Sequence, residues 1–213
     1  DLTLDTLHML GHLATRRADA HATEAIAQTC RRHLTKLEPA SRPRCQAMIF
    51  FMEGHAAMIE QETDAAEERF GRLDDGGPPP DLPLAALATA ARAALALQCG
   101  RLDDAEALSQ RARNDLKAAT DATTSPALNR LLTLARADAT RRLAGLYDHK
   151  NNPALATRLL NRAMRIFQTE VDPHGELEGY IQMTGALRKR LESQAQPKQE
   201  DITRARRYWK RLS

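Results

Sequence analysis

Two stretches of the chain share one spacing of small, aromatic and large apolar residues, and this spacing constrains the fold more than any other feature. The first stretch contains, in order, Phe50, Glu53, Gly54, Ala57, Ala66, Phe70 and the prolines of residues 78–80. The second contains Leu143, Ala144, Tyr147, Ala156, Leu160 and Ala163. Small residues at such positions let two helices approach closely, since a larger side chain would overpack the contact. The pattern therefore predicts paired helices that recur along the chain.

The first stretch resembles the tetratricopeptide repeat (TPR), in which an aromatic residue, Leu-Gly and Tyr precede Ala-x3-Phe and a proline. The resemblance covers about residues 8–170 and implies an all-α solenoid of about five antiparallel hairpins, stacked as a right-handed superhelix. The match is partial, because Ala66 and Ala105 are 39 residues apart and Ala105 and Ala156 are 51 apart. The tetratricopeptide period is about 34 residues, so the repeats are long and uneven.

Composition also indicates a helical protein, because Ala and Leu are frequent and aromatic residues make up only 4%. Between the prolines, apolar residues recur at helical spacing. The predicted helices span residues 2–17 and 20–37, 42–60 and 63–74, 83–99 and 102–119, 125–149 and 153–169, and 174–194 and 199–212. We expect one repeat domain over 1–213, with 174–213 as the weakest or capping hairpin. Since the chain begins at Asp1, it can be a piece of a longer protein.

Cysteine content and hydropathy predict an intracellular, cytoplasmic protein. Cys30, Cys45 and Cys99 are an odd and irregularly spaced set, which argues against a disulfide framework and for a reducing compartment. No apolar run approaches the roughly 18 residues of a membrane span. The sequence therefore predicts no membrane partner.

The resemblance implies where a partner would bind, because positions two, five, nine and twelve of the first helix of each TPR hairpin face the concave groove. The candidate lining is His8, His12, Met48, Phe51, His55, Met58, Leu87, Leu97, Arg141 and Asp148. Its apolar centre suits a partner peptide or helix. The alternative is that these apolar residues pack between neighbouring hairpins, as most buried apolar residues do. The Lys and Asn that hold a terminal carboxylate in chaperone-binding TPR domains are not at the matching positions.

No residue set in the sequence predicts catalysis, a cofactor or a metal. His8 and His12 share one helix face at a spacing that suits a metal, but no third ligand is evident. Cys30, His33 and Cys45 are irregularly spaced, so buried thiols are the simpler prediction. No phosphate-binding glycine loop and no nucleophile–base set occurs. We therefore predict a non-catalytic protein-interaction scaffold; the alternative is the effector-sensing region of a transcriptional activator.

The C-terminal segment is basic, since residues 188–213 contain nine Lys and Arg against three acidic residues. Arg204, Arg207, Lys210 and Arg211 surround Tyr208 and Trp209. Basic residues interleaved with aromatic rings can bind nucleic acid. The favoured prediction is instead a helix whose apolar residues dock on the preceding hairpin, leaving the arginines in solvent. That docking face would consist of Ile202, Ala205, Tyr208, Trp209 and Leu212.

Overall fold

The computed structural model of the protein describes residues 10–11, 14–15, 18–73, 81–192 and 199–212. Within 199–212 it leaves out the side chains of residues 201, 204, 205, 208, 211 and 212. The α-helices are α1 (Ala20–Leu34), α2 (Arg42–Ile59), α3 (Thr63–Gly71), α4 (Leu82–Gln98), α5 (Leu102–Ala122), α6 (Pro126–His149), α7 (Pro153–Thr169), α8 (Pro173–Glu192) and α9 (Gln199–Leu212). The described residues contain no β-strand, which confirms the predicted all-α class. The predicted helix over 2–17 lies mostly outside the described residues.

The chain forms two compact units, Asp1–Cys99 and Gly100–Ser213. In the first unit, α1 packs on α2, α2 on α3 and α3 on α4, and α2 also contacts α4. In the second unit, each helix from α5 to α9 packs on the next, and α6 also contacts α8. Contact between alternate helices is what stacked hairpins produce. A single domain over 1–213, and a hairpin that pairs 83–99 with 102–119, remain predictions.

Prolines and polar caps fix the helix starts. Pro126, Pro153 and Pro173 occupy the first positions of α6, α7 and α8, where a missing N–H costs nothing. The side chains of four residues accept a hydrogen bond from a backbone N–H of the first turn: Asp19, Asp81, Ser125 and Asn152. Such caps satisfy donors that the helix leaves unpaired. This explains why the predicted and observed starts agree within one residue for these helices.

One turn geometry recurs at the junctions between helices. Gly100, Gln61, Asn151 and Val171 have φ values of 71°, 65°, 54° and 53°, in the left-handed region. The residue after the left-handed one returns a hydrogen bond to the preceding helix, from Glu62 N to Ala57 O at 2.8 Å, from Asn152 N to Tyr147 O at 2.8 Å and from Asp172 N to Phe167 O at 2.9 Å. This is the Schellman pattern, which closes a helix C-terminus. Gly100 adopts this conformation without strain, because glycine has no Cβ.

The motif residues lie at tightly packed helix contacts. Ala66, Ala105 and Ala156 are fully buried, as their small size predicts. Gly54 of α2 lies against the ring of Phe70 in α3, and a Cβ atom at Gly54 would come within 2.7 Å of that ring. Gly54 and Phe70, two residues of the predicted motif, thus form one contact between α2 and α3.

Candidate functional site

The predicted lining in the first unit is partly buried. Met48 has no exposed surface and Phe51 is 1% exposed, whereas His55 and Met58 are half-buried. The Phe51 ring makes edge contacts with His55 at 4.6 Å and with Phe70 at 6.2 Å between ring centroids. These aromatic contacts join α2 to α3, so Phe51 contributes to the packing of this unit. A role for Phe51 in a groove floor remains a prediction.

The predicted lining residues on α4 also include one that is buried and one that is half-buried. Leu87 is buried, while Leu97 is half-buried near the end of the helix. Because α4 contacts both α2 and α3, its middle has little surface left for a partner. The accessible part of the predicted lining in this unit is therefore His55, Met58 and Leu97. His8 and His12 lie outside the described residues.

In the second unit the predicted lining residues lie on the face that α6 shares with α8. Arg141 binds Asp138 on its own helix at 2.7 Å and Glu178 of α8 at 2.6 Å. Asp148 of α6 binds Lys189 of α8 at 2.6 Å. The two predicted positions on α6 thus meet residues of α8 that lie about 40 residues away in sequence.

The charges on this face are balanced among themselves. Burial alone would raise the pKa of Asp138, but the adjacent guanidinium groups of Arg142 and Arg141 outweigh it and hold that pKa well below its usual range. The Asp138 charge in turn raises the pKa of Arg142. Asp138 therefore stays ionised at neutral pH and holds Arg141, whose guanidinium also binds Glu178 of α8.

A second surface, absent from the predicted lining, is a basic groove in the second unit. It has a volume of about 1100 Å³ and lies among α5, α6, α7 and the end of α8. Five arginines line it: Arg113 of α5, Arg158, Arg162 and Arg165 of α7, and Arg190 of α8. We call these five residues and the space between them the arginine groove. The described residues that line it include no Asp or Glu.

Several of these guanidinium groups lack partners within the described part of the chain. Arg158, Arg162 and Arg165 make no side-chain hydrogen bond or ion pair there, and the buried Nε of Arg113 has no hydrogen-bond partner. Burial lowers the pKa of Arg113, and the nearby charges of Arg162 and Arg136 lower it further. Arg158, Arg162 and Arg165 are therefore unneutralised within the described residues and concentrate positive charge in the groove.

The carboxylates at the edge of the arginine groove are already engaged. Tyr147, which lines the groove, donates a hydrogen bond from its hydroxyl to Glu106 at 2.7 Å. Lys150 donates to Glu106 at 2.6 Å and to Asp103 at 2.9 Å. These contacts lower the pKa of Glu106, first through Lys150 and then through Tyr147. The Glu106 charge is thus paired with Lys150 rather than with the groove arginines.

One signal in the sequence could have indicated this groove. Arg158, Arg162 and Arg165 recur at i, i+4 and i+7, which places them on one face of a helix. Like charges at i, i+4 destabilise a helix slightly, so an unpaired series of this kind favours an outside ligand. The contributions of Arg113 and Arg190 could not be predicted, because they depend on how α5 and α8 pack around α7.

The prediction that Trp209 docks on the preceding hairpin is wrong. Helix α9 does pack on α8, and Ile202 is half-buried, but Trp209 is 65% exposed. The reason is its position three residues after Arg206, on the same side of the helix as that exposed arginine. Arg207 and Lys210 are also exposed, whereas the side chains of Arg204, Tyr208 and Arg211 lie outside the described set.

The cysteines of the first unit are buried thiols, as predicted. Cys30 and Cys45 have no exposed surface, whereas His33 is exposed. The Cys45 thiol lies 3.5 Å from the Cys30 carbonyl oxygen. Burial, with the nearby Cys45, raises the pKa of Cys30 to about 12, which keeps it protonated and unreactive.

Two further features have no candidate among the described residues. No group of three or more His, Cys, Asp or Glu side chains there is arranged to hold a metal ion. No described helix has both the length and the apolar character that crossing a membrane requires.

A solved structure supports the fold predicted from the sequence. It is from Podosopora anserina and is described as a kinesin light chain with nearly identical TPR-like repeats; the similarity covers 99% of this chain and 97% of that one. The TM-score is 0.51 and the sequence identity is 15%, so the similarity concerns the fold alone. No protein-family model matches the chain, and no curated protein matches it in sequence. The chain has an all-α, TPR-like helical repeat fold.

Proposed function

We propose that the protein is a non-catalytic interaction scaffold that binds a partner peptide or helix along the predicted lining residues. The observation that carries the proposal is the contact of Arg141 with Glu178 between α6 and α8. Arg141 is a lining position assigned from the repeat pattern, and its ion pair with Glu178 supports a lining face that α6 shares with α8. Repeat arrays use such aligned helix faces as extended binding surfaces.

The first unit supplies the apolar part of the proposed lining. Met58 and Leu97 are half-buried, and His55 lies beside Met58 at one helical turn's distance. Methionine adapts to partners of different shape, because its side chain is unbranched and polarizable. A partner helix with an apolar face is the ligand that this surface fits best.

Site-specific photo-crosslinking tests the proposal. A photoreactive phenylalanine analogue replaces Met58 in one sample and Lys36, an exposed residue outside the lining, in the other. Each full chain is incubated with extract of its native source and irradiated, and cross-linked proteins are identified by mass spectrometry. We expect a discrete partner at Met58 and not at Lys36, with unchanged far-UV circular dichroism in both. The same products at both positions would contradict the lining.

The exposure of Trp209 favours nucleic-acid contact through α9 as a second candidate function. An exposed indole beside Arg206, Arg207 and Lys210 combines a stacking surface with positive charge. Trp209 is the chain's single tryptophan, so its fluorescence reports on this site alone. Stacking predicts that a single-stranded oligonucleotide quenches this fluorescence in a salt-dependent way. Binding without quenching would place the nucleic acid elsewhere.

A further inference from the structure

We propose that the arginine groove binds an extended acidic segment of a protein partner, whose carboxylates pair with Arg158, Arg162 and Arg165. This surface is separate from the lining proposed above. A test of the arginine groove therefore does not depend on whether a partner binds to the lining residues of α2, α4, α6 and α8.

Charge is the first argument for an acidic ligand. Residues 100–213 contain 21 Lys and Arg against 14 Asp and Glu, whereas residues 1–99 contain 10 against 14. Carboxylates of the second unit do pair with arginines elsewhere, as Asp138 does with Arg141 and Arg142. Arg158, Arg162 and Arg165 have no such pairing among the described residues, so this part of the groove is complementary to a ligand with negative charge.

The buried nitrogen of Arg113 is the second argument. A buried polar atom without a hydrogen-bond partner is unfavourable and needs an explanation in a folded protein. The Nε of Arg113 is such an atom, in a groove that three unpaired arginines of α7 also line. A carboxylate bound there could accept hydrogen bonds from a guanidinium in the bidentate geometry that arginine favours.

The spacing of the arginines favours an extended chain. A helix rises about 1.5 Å per residue, which separates Arg158 from Arg162 by about 6 Å and Arg162 from Arg165 by about 4.5 Å along α7. Alternate side chains of an extended strand lie on one side at intervals of about 6.6 Å. Because arginine side chains are long and flexible, they can follow acidic residues at every second position.

The groove fits a peptide better than nucleic acid. Surfaces that bind single strands add aromatic stacking to positive charge, but Tyr147 is the single aromatic residue among the described lining and its hydroxyl is bound to Glu106. Leu155 and Ala154 add apolar surface, which suits the intervening side chains of a peptide.

Fluorescence anisotropy with a defined peptide tests the proposal. The probe is a labelled peptide of about 12 residues that alternates Glu and Ala, and its control replaces every Glu by Gln. With the full chain in about 50 mM salt we expect the Glu peptide to bind and the Gln peptide not to bind. Raising the salt to about 200 mM should weaken binding several-fold, because the contact is between exposed charges.

Two matched double variants locate the binding. Arg158→Gln with Arg162→Gln removes two charges from the groove, and Arg111→Gln with Arg188→Gln removes two from outside it. We expect the groove pair to weaken the Glu peptide by at least about tenfold, or about 1.4 kcal/mol, and the outside pair by less than about twofold. Far-UV circular dichroism checks that both variants fold.

Four results would overturn the proposal. The first two are that the Glu peptide does not bind, or that both double variants weaken its binding equally. The third is that a single-stranded RNA of similar length binds more tightly than the peptide and only the groove pair of substitutions weakens it. The fourth is that the chain self-associates and only the groove pair abolishes this self-association. The last two would assign the groove to nucleic acid or to a second copy of this chain.

Discussion

A methyl group added at Gly54 should destabilise the protein, although Gly→Ala normally stabilises a helix. The Cβ would lie 2.7, 2.8 and 3.0 Å from three ring carbons of Phe70, which is fully buried and has little room to move. Overpacking of this kind costs about 1–3 kcal/mol. The gain in helix propensity offsets about 0.8–1.0 kcal/mol of that cost. The net loss for Gly54→Ala should therefore be up to about 2 kcal/mol.

Gly145 supplies the matched control, because it lies inside α6 and a Cβ there meets no atom within 4 Å. Gly145→Ala should stabilise the chain by about 0.8–1.0 kcal/mol. Urea unfolding followed by far-UV circular dichroism measures both variants against the wild type, and the difference between them isolates the Phe70 contact. Gly54→Ala with Phe70→Leu should recover part of the loss, since contacting residues are coupled. If Gly54→Ala were as stabilising as Gly145→Ala, the close approach of α2 and α3 would be refuted.

Three further predictions concern stability. Phe51→Ala should lower the free energy of unfolding by about 3–5 kcal/mol, because the ring is buried against Phe70; a loss below about 1 kcal/mol in urea unfolding would show that Phe51 is free for a partner. Val171→Gly should raise it by about 0.5–1 kcal/mol, because the left-handed conformation strains a β-branched residue more than the added chain entropy of glycine costs; a lower urea midpoint would contradict the turn geometry. Asp138→Asn should lower the free energy of unfolding at pH 7, and this loss should become progressively smaller below about pH 4. The reason is that the folded protein depresses the pKa of the Asp138 carboxyl. Such a carboxylate stabilises the folded state above its unfolded pKa and loses that effect as the pH falls. An equal effect of Asp138→Asn at pH 7 and pH 2 would exclude the ion pairs with Arg141 and Arg142 as its cause.

The helices could be predicted because their ends depend on local chemistry. Pro153 starts α7 at the predicted residue, since a proline fits the first turn and not the interior. The left-handed residues were harder to predict. A glycine such as Gly100 indicates a left-handed turn by its residue type, but Gln61 and Val171 adopt the same conformation although neither is a glycine. Their turns close the C-termini of α2 and α7 through backbone hydrogen bonds, which the residue type does not indicate.

The lining and the arginine groove differ in what the sequence can specify about a site. The repeat pattern fixes the position of Arg141 on its helix, and the structure places it against Glu178 of α8. The repeat pattern does not specify which of these residues are exposed. Whether Phe51 faces a partner depends on how closely α3 approaches α2, and the Phe70 ring of α3 occupies that space.

The arginine groove combines side chains from three helices, and only the i, i+4, i+7 series on α7 can be recognised without knowing how they pack. That series already carries physical information. Three like charges on one helix face repel one another, and Arg113 adds to the repulsion. No described carboxylate among the lining residues relieves it. An acidic ligand would remove this repulsion on binding, so its contribution to affinity should be larger at low salt. The same repulsion implies that the groove charges oppose folding in the absence of ligand, and that the ligand should raise the thermal stability of the second unit.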